Sequence, residues 1–156
     1  MTRTQSTATI KILSYRQNVE LQLRSTPSKV LIVDDDPSHL EIYGLLLKQA
    51  GYEPVSALVR FAGAEFPTEP NINGIILDSR LNSLERSSDL AQQMRILYPQ
   101  APIVLLEDGL WPSEENAPYA DSSVRRGEPA ELLDTLSRVV LKSTEPPSAL
   151  ASQLAS

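Results

Sequence analysis

Apolar residues run unbroken through Val30-Leu31-Ile32-Val33, and the run stops on Asp34-Asp35-Asp36-Pro37. Such a run reads as a strand covered on both faces. Asp36 followed by Pro37 predicts a helix N-cap with proline at the first helical position. Leu40, Tyr43, Leu46, Leu47 and Ala50 then recur at helical spacing, and Gly51 offers a C-cap. Residues 52–57 (YEPVSA) read as a second, edge-like strand because Pro54 removes a ladder donor. Residues 58–71 predict a helix, kept short by Pro67 and Pro70. Residues 74–78 (GIILD) are a third buried strand, again ending in aspartate. Ser88 to Leu97 carries Leu90, Met94 and Leu97 on one side of a helix that Tyr98-Pro99 stops. Residues 102–108 (PIVLLED) form a fourth strand and residues 122–126 (SSVRR) a short fifth. Glu128-Pro129 opens a last helix with Leu132, Leu133, Leu136, Val139 and Val140 on one face.

Strands alternating with helices predict an α/β domain with a parallel sheet and helices on both of its faces. This core spans residues 29–141. Residues 1–28 precede it as an extension rich in Ser, Thr and Gln, whose weak alternation at Ile10, Ile12, Val19, Leu21 and Leu23 suits either a β-hairpin or an unstructured arm. Residues 142–156 read as a polar, flexible tail.

Composition narrows the function. The chain has 156 residues and a formal charge of −6, which disfavours nonspecific attraction to nucleic acid or an anionic membrane. A DNA-binding effector domain would also need more chain than these residues supply. No apolar run reaches membrane-spanning length, and the N-terminus lacks a signal-peptide core. The absence of cysteine removes disulfides and thiolate metal sites, which suits a cytoplasmic setting.

In a parallel α/β sheet, sites form beyond the carboxyl ends of the strands. Asp34, Asp35, Asp78 and Glu107 all fall there. Clustered carboxylates on such an edge are what Mg²⁺ prefers, and a carboxylate beside that ion can accept a phosphoryl group. Asp36 is assigned to capping. His39, the one histidine, reads as an exposed surface residue, and Trp111 as a plug for an irregular loop.

The stretch KVLIVDDDPSHLEIYGLLLKQAGYEPVSA, followed by IILD and PIVLL, resembles the receiver domains of two-component response regulators, of the CheY-like type. The resemblance covers roughly residues 29–141. It implies a doubly wound, flavodoxin-like sheet of five parallel strands, order 2-1-3-4-5, with five surrounding helices. It also implies Asp34 and Asp35 as the metal pair, Asp78 as phosphoacceptor, and the backbone carbonyl of Arg80 as a further metal ligand. The phosphoryl donor would be a sensor histidine kinase.

Departures from the family's pattern gather on its switch. Residues 78–88 read DSRLNSLERSS, without the usual proline or glycine, and Glu107 stands where the family has a hydroxyl. The switch aromatic falls at Ser122, the lysine at Arg125, and the following proline at Arg126. The span from Glu107 to Arg125 is short, so the fourth helix is expected to be reduced or absent. A phosphoryl group on Asp78 at roughly 5 Å from the Glu107 carboxylate would meet about 3 kcal/mol of repulsion per unit charge. Arg80 and Arg125 are the arginines expected to neutralise that acid.

The resulting expectation is a stand-alone pseudo-receiver: a non-enzymatic signalling and protein-interaction module in a two-component-type pathway, independent of phosphorylation. Its Mg²⁺ binding would be weak or absent. Its partner would be a histidine kinase or another signalling protein, with no direct nucleic-acid or membrane contact, and a homodimer is compatible with it. The alternative is a conventional receiver phosphorylated on Asp78. A third reading, a haloacid-dehalogenase-like phosphatase with Asp34 as nucleophile and Asp36 as acid/base, lacks the expected lysine and insertion.

Overall fold

The structure is a computed structural model that describes residues 26–69, 71–109 and 118–144, together with Lys11 and Ser14. Its elements in chain order are β1 (Lys29–Asp34), α1 (Pro37–Gln49), β2 (Glu53–Arg60), β3 (Gly63–Ala64), β4 (Ile72–Asp78), α2 (Ser87–Leu97), β5 (Ile103–Glu107), β6 (Ser122–Arg125) and α3 (Pro129–Thr144). The sheet has six strands in the order β3-β2-β1-β4-β5-β6. Five of them are parallel, in the expected 2-1-3-4-5 arrangement. The sixth is the two-residue β3, antiparallel to the end of β2 through Val59–Ala64 and Arg60–Gly63.

Strand alternation builds two core layers from one sheet. Leu31, Val33, Ile75, Leu77, Ile103 and Leu105 face Leu90, Ala91 and Met94 of α2. Val30, Ile32, Ile76, Val104 and Leu106 belong to the opposite layer with Leu40 and Leu47 of α1 and Leu132 and Leu136 of α3. Both faces are buried, which is why the strands read as continuous apolar runs. α3 comes so close to β4 that a Cβ at Gly74 would lie 3.1 Å from Val140 Cγ2.

Local signals act as their chemistry predicts at α1. The Asp36 carboxylate accepts from Ser38 N at 2.8 Å and caps the helix. Gly51 takes φ +91°, a left-handed conformation that lets the chain leave α1 and enter β2.

The helix expected within 58–71 is corrected: β2 instead continues to Arg60 and turns into β3. Ala57 and Val59 enter the α2-side core at alternate positions, so period two wins over a helical pattern that two prolines already weakened. Beyond β3, Phe66 packs on that core and Tyr98 Oη donates to the Pro67 carbonyl at 2.5 Å. The described residues contain three helices of at least one full turn, against the five implied. The reduced fourth helix and Trp111 fall on residues 110–117, outside the described residues; the flanking residues 108–109 and 118–121 are bends, turns and coil. In the N-terminal extension Lys11 and Ser14 are helical, with Ser14 Oγ donating to the Lys11 carbonyl at 3.0 Å, which the hairpin reading did not foresee. α3 continues to Thr144, three residues past the expected boundary. No helix among the described residues is long and apolar enough to cross a membrane.

Candidate functional site

The strand order reverses between β1 and β4: the chain moves one way from β1 to β2 and the other way from β4 to β6. Beyond the carboxyl ends of β1 and β4 lies the switch-point crevice where this architecture places its sites. Asp34 ends β1 and Asp78 ends β4, and each is only 1% exposed. Val33 pairs with Leu77, so the two aspartates stand side by side in the next row.

Each buried carboxylate is partly satisfied by the loop it opens. Asp34 Oδ1 accepts from Asp36 N at 2.9 Å, and its Oδ2 faces His39 Nδ1 at 3.2 Å. Burial pushes the Asp34 carboxyl up to about 6; the Asp36 N–H and His39 oppose this, and the Asp78 charge reinforces it. Asp78 Oδ1 accepts from Arg80 N at 2.7 Å. The loops are stitched together where Asn82 N donates to Asp35 Oδ2 at 2.9 Å.

The positive charge comes from Arg126. Its Nη1 ion-pairs with Asp78 Oδ2, while its Nε donates to Asp108 Oδ1 at 3.1 Å. Arg80 Nη2 pairs with the other oxygen of Asp108. Partial burial works against the charge on Arg126, but Asp78 and Asp108 more than offset it and hold the guanidinium above its usual range. Burial would raise the Asp108 carboxyl, yet Arg126 and Arg80 hold it below the usual carboxylate range.

The counter-charge is Arg126 and not Arg125, the arginine expected from the sequence. Arg125 is exposed and enters no ion pair among the described residues; Arg126 holds the counter-charge. The register gives the reason. Asp78 pairs with Leu106, and Leu106 with Val124, so those three share one sense of the pleat. Two residues on from Val124, Arg126 returns to that side, while Arg125 and its partner Glu107 take the other. Arg126 N donates to the Glu107 carbonyl at 2.7 Å, which fixes this turn over the end of β5. Parity counted from Val124 would have singled out Arg126 had the register been known.

The remaining expected residues are accounted for as follows. Glu107 is buried, Ser122 is half-buried opposite Val104, and Arg80 neutralises Asp108 rather than Glu107. His39 is corrected from a bystander to a neighbour of the acids: its Nδ1 faces Asp34, and its ring meets Tyr43 edge-on with centroids 6.4 Å apart. Among the described residues, Asp34, His39 and Asp78 offer ligand atoms that all lie within 4.8 Å of one another. Asp35 is not in that set.

This donor set does not fit Mg²⁺, which takes an octahedron of oxygen ligands and retained waters. One of its three donors is an imidazole nitrogen, and one Asp78 oxygen is engaged by a guanidinium. A dication at roughly 4 Å from that guanidinium would meet about 8 kcal/mol of repulsion at an effective dielectric near 20.

No family model matches the chain. Two curated relatives, the transcriptional regulatory proteins GlrR of Escherichia coli K12 and QseF of Escherichia coli O157:H7, are each 29% identical over 80 residues. That match takes in 51% of this chain but only 18% of either relative's length. Among solved structures, the chemotaxis response regulator CheY4 of Vibrio cholerae superposes with a TM-score of 0.61 at 25% identity, over 73% of this chain and 99% of that one. A CheY-like receiver domain from Methanospirillum hungatei gives 0.60 at 22% identity, over 76% and 97%. TrrA of Thermotoga maritima, solved with Mg²⁺ and BeF, gives 0.53 at 23% identity, over 70% and 98%. The chain therefore folds as a response regulator receiver domain of the CheY-like type.

Proposed function

We propose that this receiver domain works as a phosphorylation-independent signalling module of a two-component-type pathway in the cytoplasm. It acts by binding a histidine kinase or another signalling protein and turns over no substrate of its own. The observation that carries this reading is the Arg126–Asp78 ion pair. A phosphoacceptor needs a free carboxylate oxygen beside a divalent cation, and here Arg80 N holds one oxygen while Arg126 holds the other. Glu107 also stands where the family has a hydroxyl donor, so that donor is missing from the sequence.

The second reading, a conventional phosphoacceptor, is favoured by the place of Asp78 at the end of β4. One experiment separates the two: incubation with acetyl phosphate and Mg²⁺, followed by intact-mass measurement. The expected spectrum is unchanged. A gain of about 80 Da, the mass of one phosphoryl group, that disappears in Asp78→Asn would establish the conventional reading instead.

A phosphatase of the haloacid-dehalogenase kind is disfavoured by the described lysines. Lys29 pairs with Glu69 at the other end of the sheet, and Lys48 sits in the last turn of α1. Asp36, its acid/base, is committed to the helix cap.

A further inference from the structure

We infer that Arg126 is a counter-ion built into the acid centre, and that it shuts the centre to divalent cations. The inference rests on the receiver reading above and deepens it, because it names how the same site is kept silent.

Asp34 and Asp78 are buried side by side with carboxylate oxygens close enough to share one cation. Two buried carboxylates in contact need a compensating positive charge. His39 faces Asp34 through Nδ1 and Asp36 through Nε2, whereas Arg126 delivers a permanent charge to Asp78. Arginine does not lose its proton, so this compensation persists at any ordinary pH.

Geometry makes the arrangement a latch rather than a passing contact. The guanidinium spans Asp78 at the end of β4 and Asp108 just past the end of β5, while the Arg126 backbone is itself bonded to Glu107. Its Nη2 is buried with no hydrogen-bond partner among the described residues, so Nη1 on Asp78 and Nε on Asp108 carry the contacts that hold the side chain at the acids. Arg80 closes the arrangement from the β4 side by sharing Asp108. A divalent ion could enter only by expelling Arg126 from Asp78, leaving Asp108 with Arg80 as its one described partner.

The latch predicts a gain of function on removal. Calorimetric titration of the whole chain with MgCl₂, and broadening of its NMR signals by Mn²⁺, read metal binding without reference to phosphorylation. The unaltered chain is expected to show no saturable site below about 10 mM, and Arg126→Gln to bind at least about tenfold more tightly. Arg126→Lys keeps the charge and is expected to stay closed, which a merely structural role for the arginine would not require. If Arg126→Gln does not fold, Arg126→Met, which keeps the apolar stem, supplies the same comparison. Sub-millimolar Mg²⁺ binding by the unaltered chain overturns the latch, as does a folded, uncharged variant with no gain. Either result leaves phosphorylation to be judged by the mass measurement, where uptake of phosphoryl by the unaltered chain would defeat the functional reading itself.

Discussion

Asp34 carries a cost that pH should reveal. Its carboxyl is held at about 6, above the ordinary 3.8, so the folded chain binds a proton more readily than the unfolded chain between those values. Stability should therefore fall as pH rises from about 4 to about 6, with the penalty fully present above that window. Asp34→Asn is expected to flatten this slope and to raise stability at pH 7 by about 1–2 kcal/mol, discounted for partial solvent access. Urea denaturation at pH 4, 5, 6 and 7 measures both. The neighbouring arginines offer a second contrast. Arg126→Ala leaves Asp78 buried and unpaired, and a loss of about 2–4 kcal/mol is expected; adding Asp78→Asn should recover much of it. Arg125→Ala, on an exposed side chain without an ion pair among the described residues, should stay within about 0.5 kcal/mol. If Arg125→Ala proves the more damaging change, the counter-ion has been assigned to the wrong residue.

Elements were legible where a single period ruled. β1, β4 and β5 announce themselves as apolar runs bounded by polar residues, and α1 by a cap, a stripe and a stop framing thirteen helical residues. The segment after Ala57 was misread because Leu58 and Val59 continue a strand, whereas its prolines had been taken only as limits on a helix. Nothing local distinguishes those two outcomes. Pairing with β1 on one side and with β3 at the tip decided it. The contact between α3 and β4 is also invisible locally, yet it explains Gly74. Gly74→Val would press on Val140 and Leu136, and a loss of about 1–3 kcal/mol is expected from thermal or urea unfolding. Asp36→Ala tests the legible part: loss of the cap should cost about 1 kcal/mol.

At the scale of the whole molecule, the proposed reading sets receiver architecture apart from receiver chemistry. The sheet order and switch point are those of the fold, but the crevice balances its acids internally with arginine. A closed centre gains nothing from Mg²⁺, so on the proposed reading 10 mM MgCl₂ should leave the melting temperature within about 1 °C of its value in EDTA. A rise of several degrees, lost in Asp78→Asn, would count against the closed centre.

The α/β class, the strands, the cap on α1 and the placing of Asp34, Asp35 and Asp78 at strand ends could be read along the chain. These follow from periodicity and capping, which act over a few neighbouring residues. Which arginine answers Asp78, that His39 stands over Asp34, and that Asp35 turns to Asn82 emerge from the folded arrangement. The first and last of these join segments far apart in the chain, where a register shift of one residue sends a side chain to the opposite face, while the His39 contact rests on how the chain turns from β1 into α1. The aspartate that ends β4 could be read from the sequence; its counter-charge, 48 residues further on, could not.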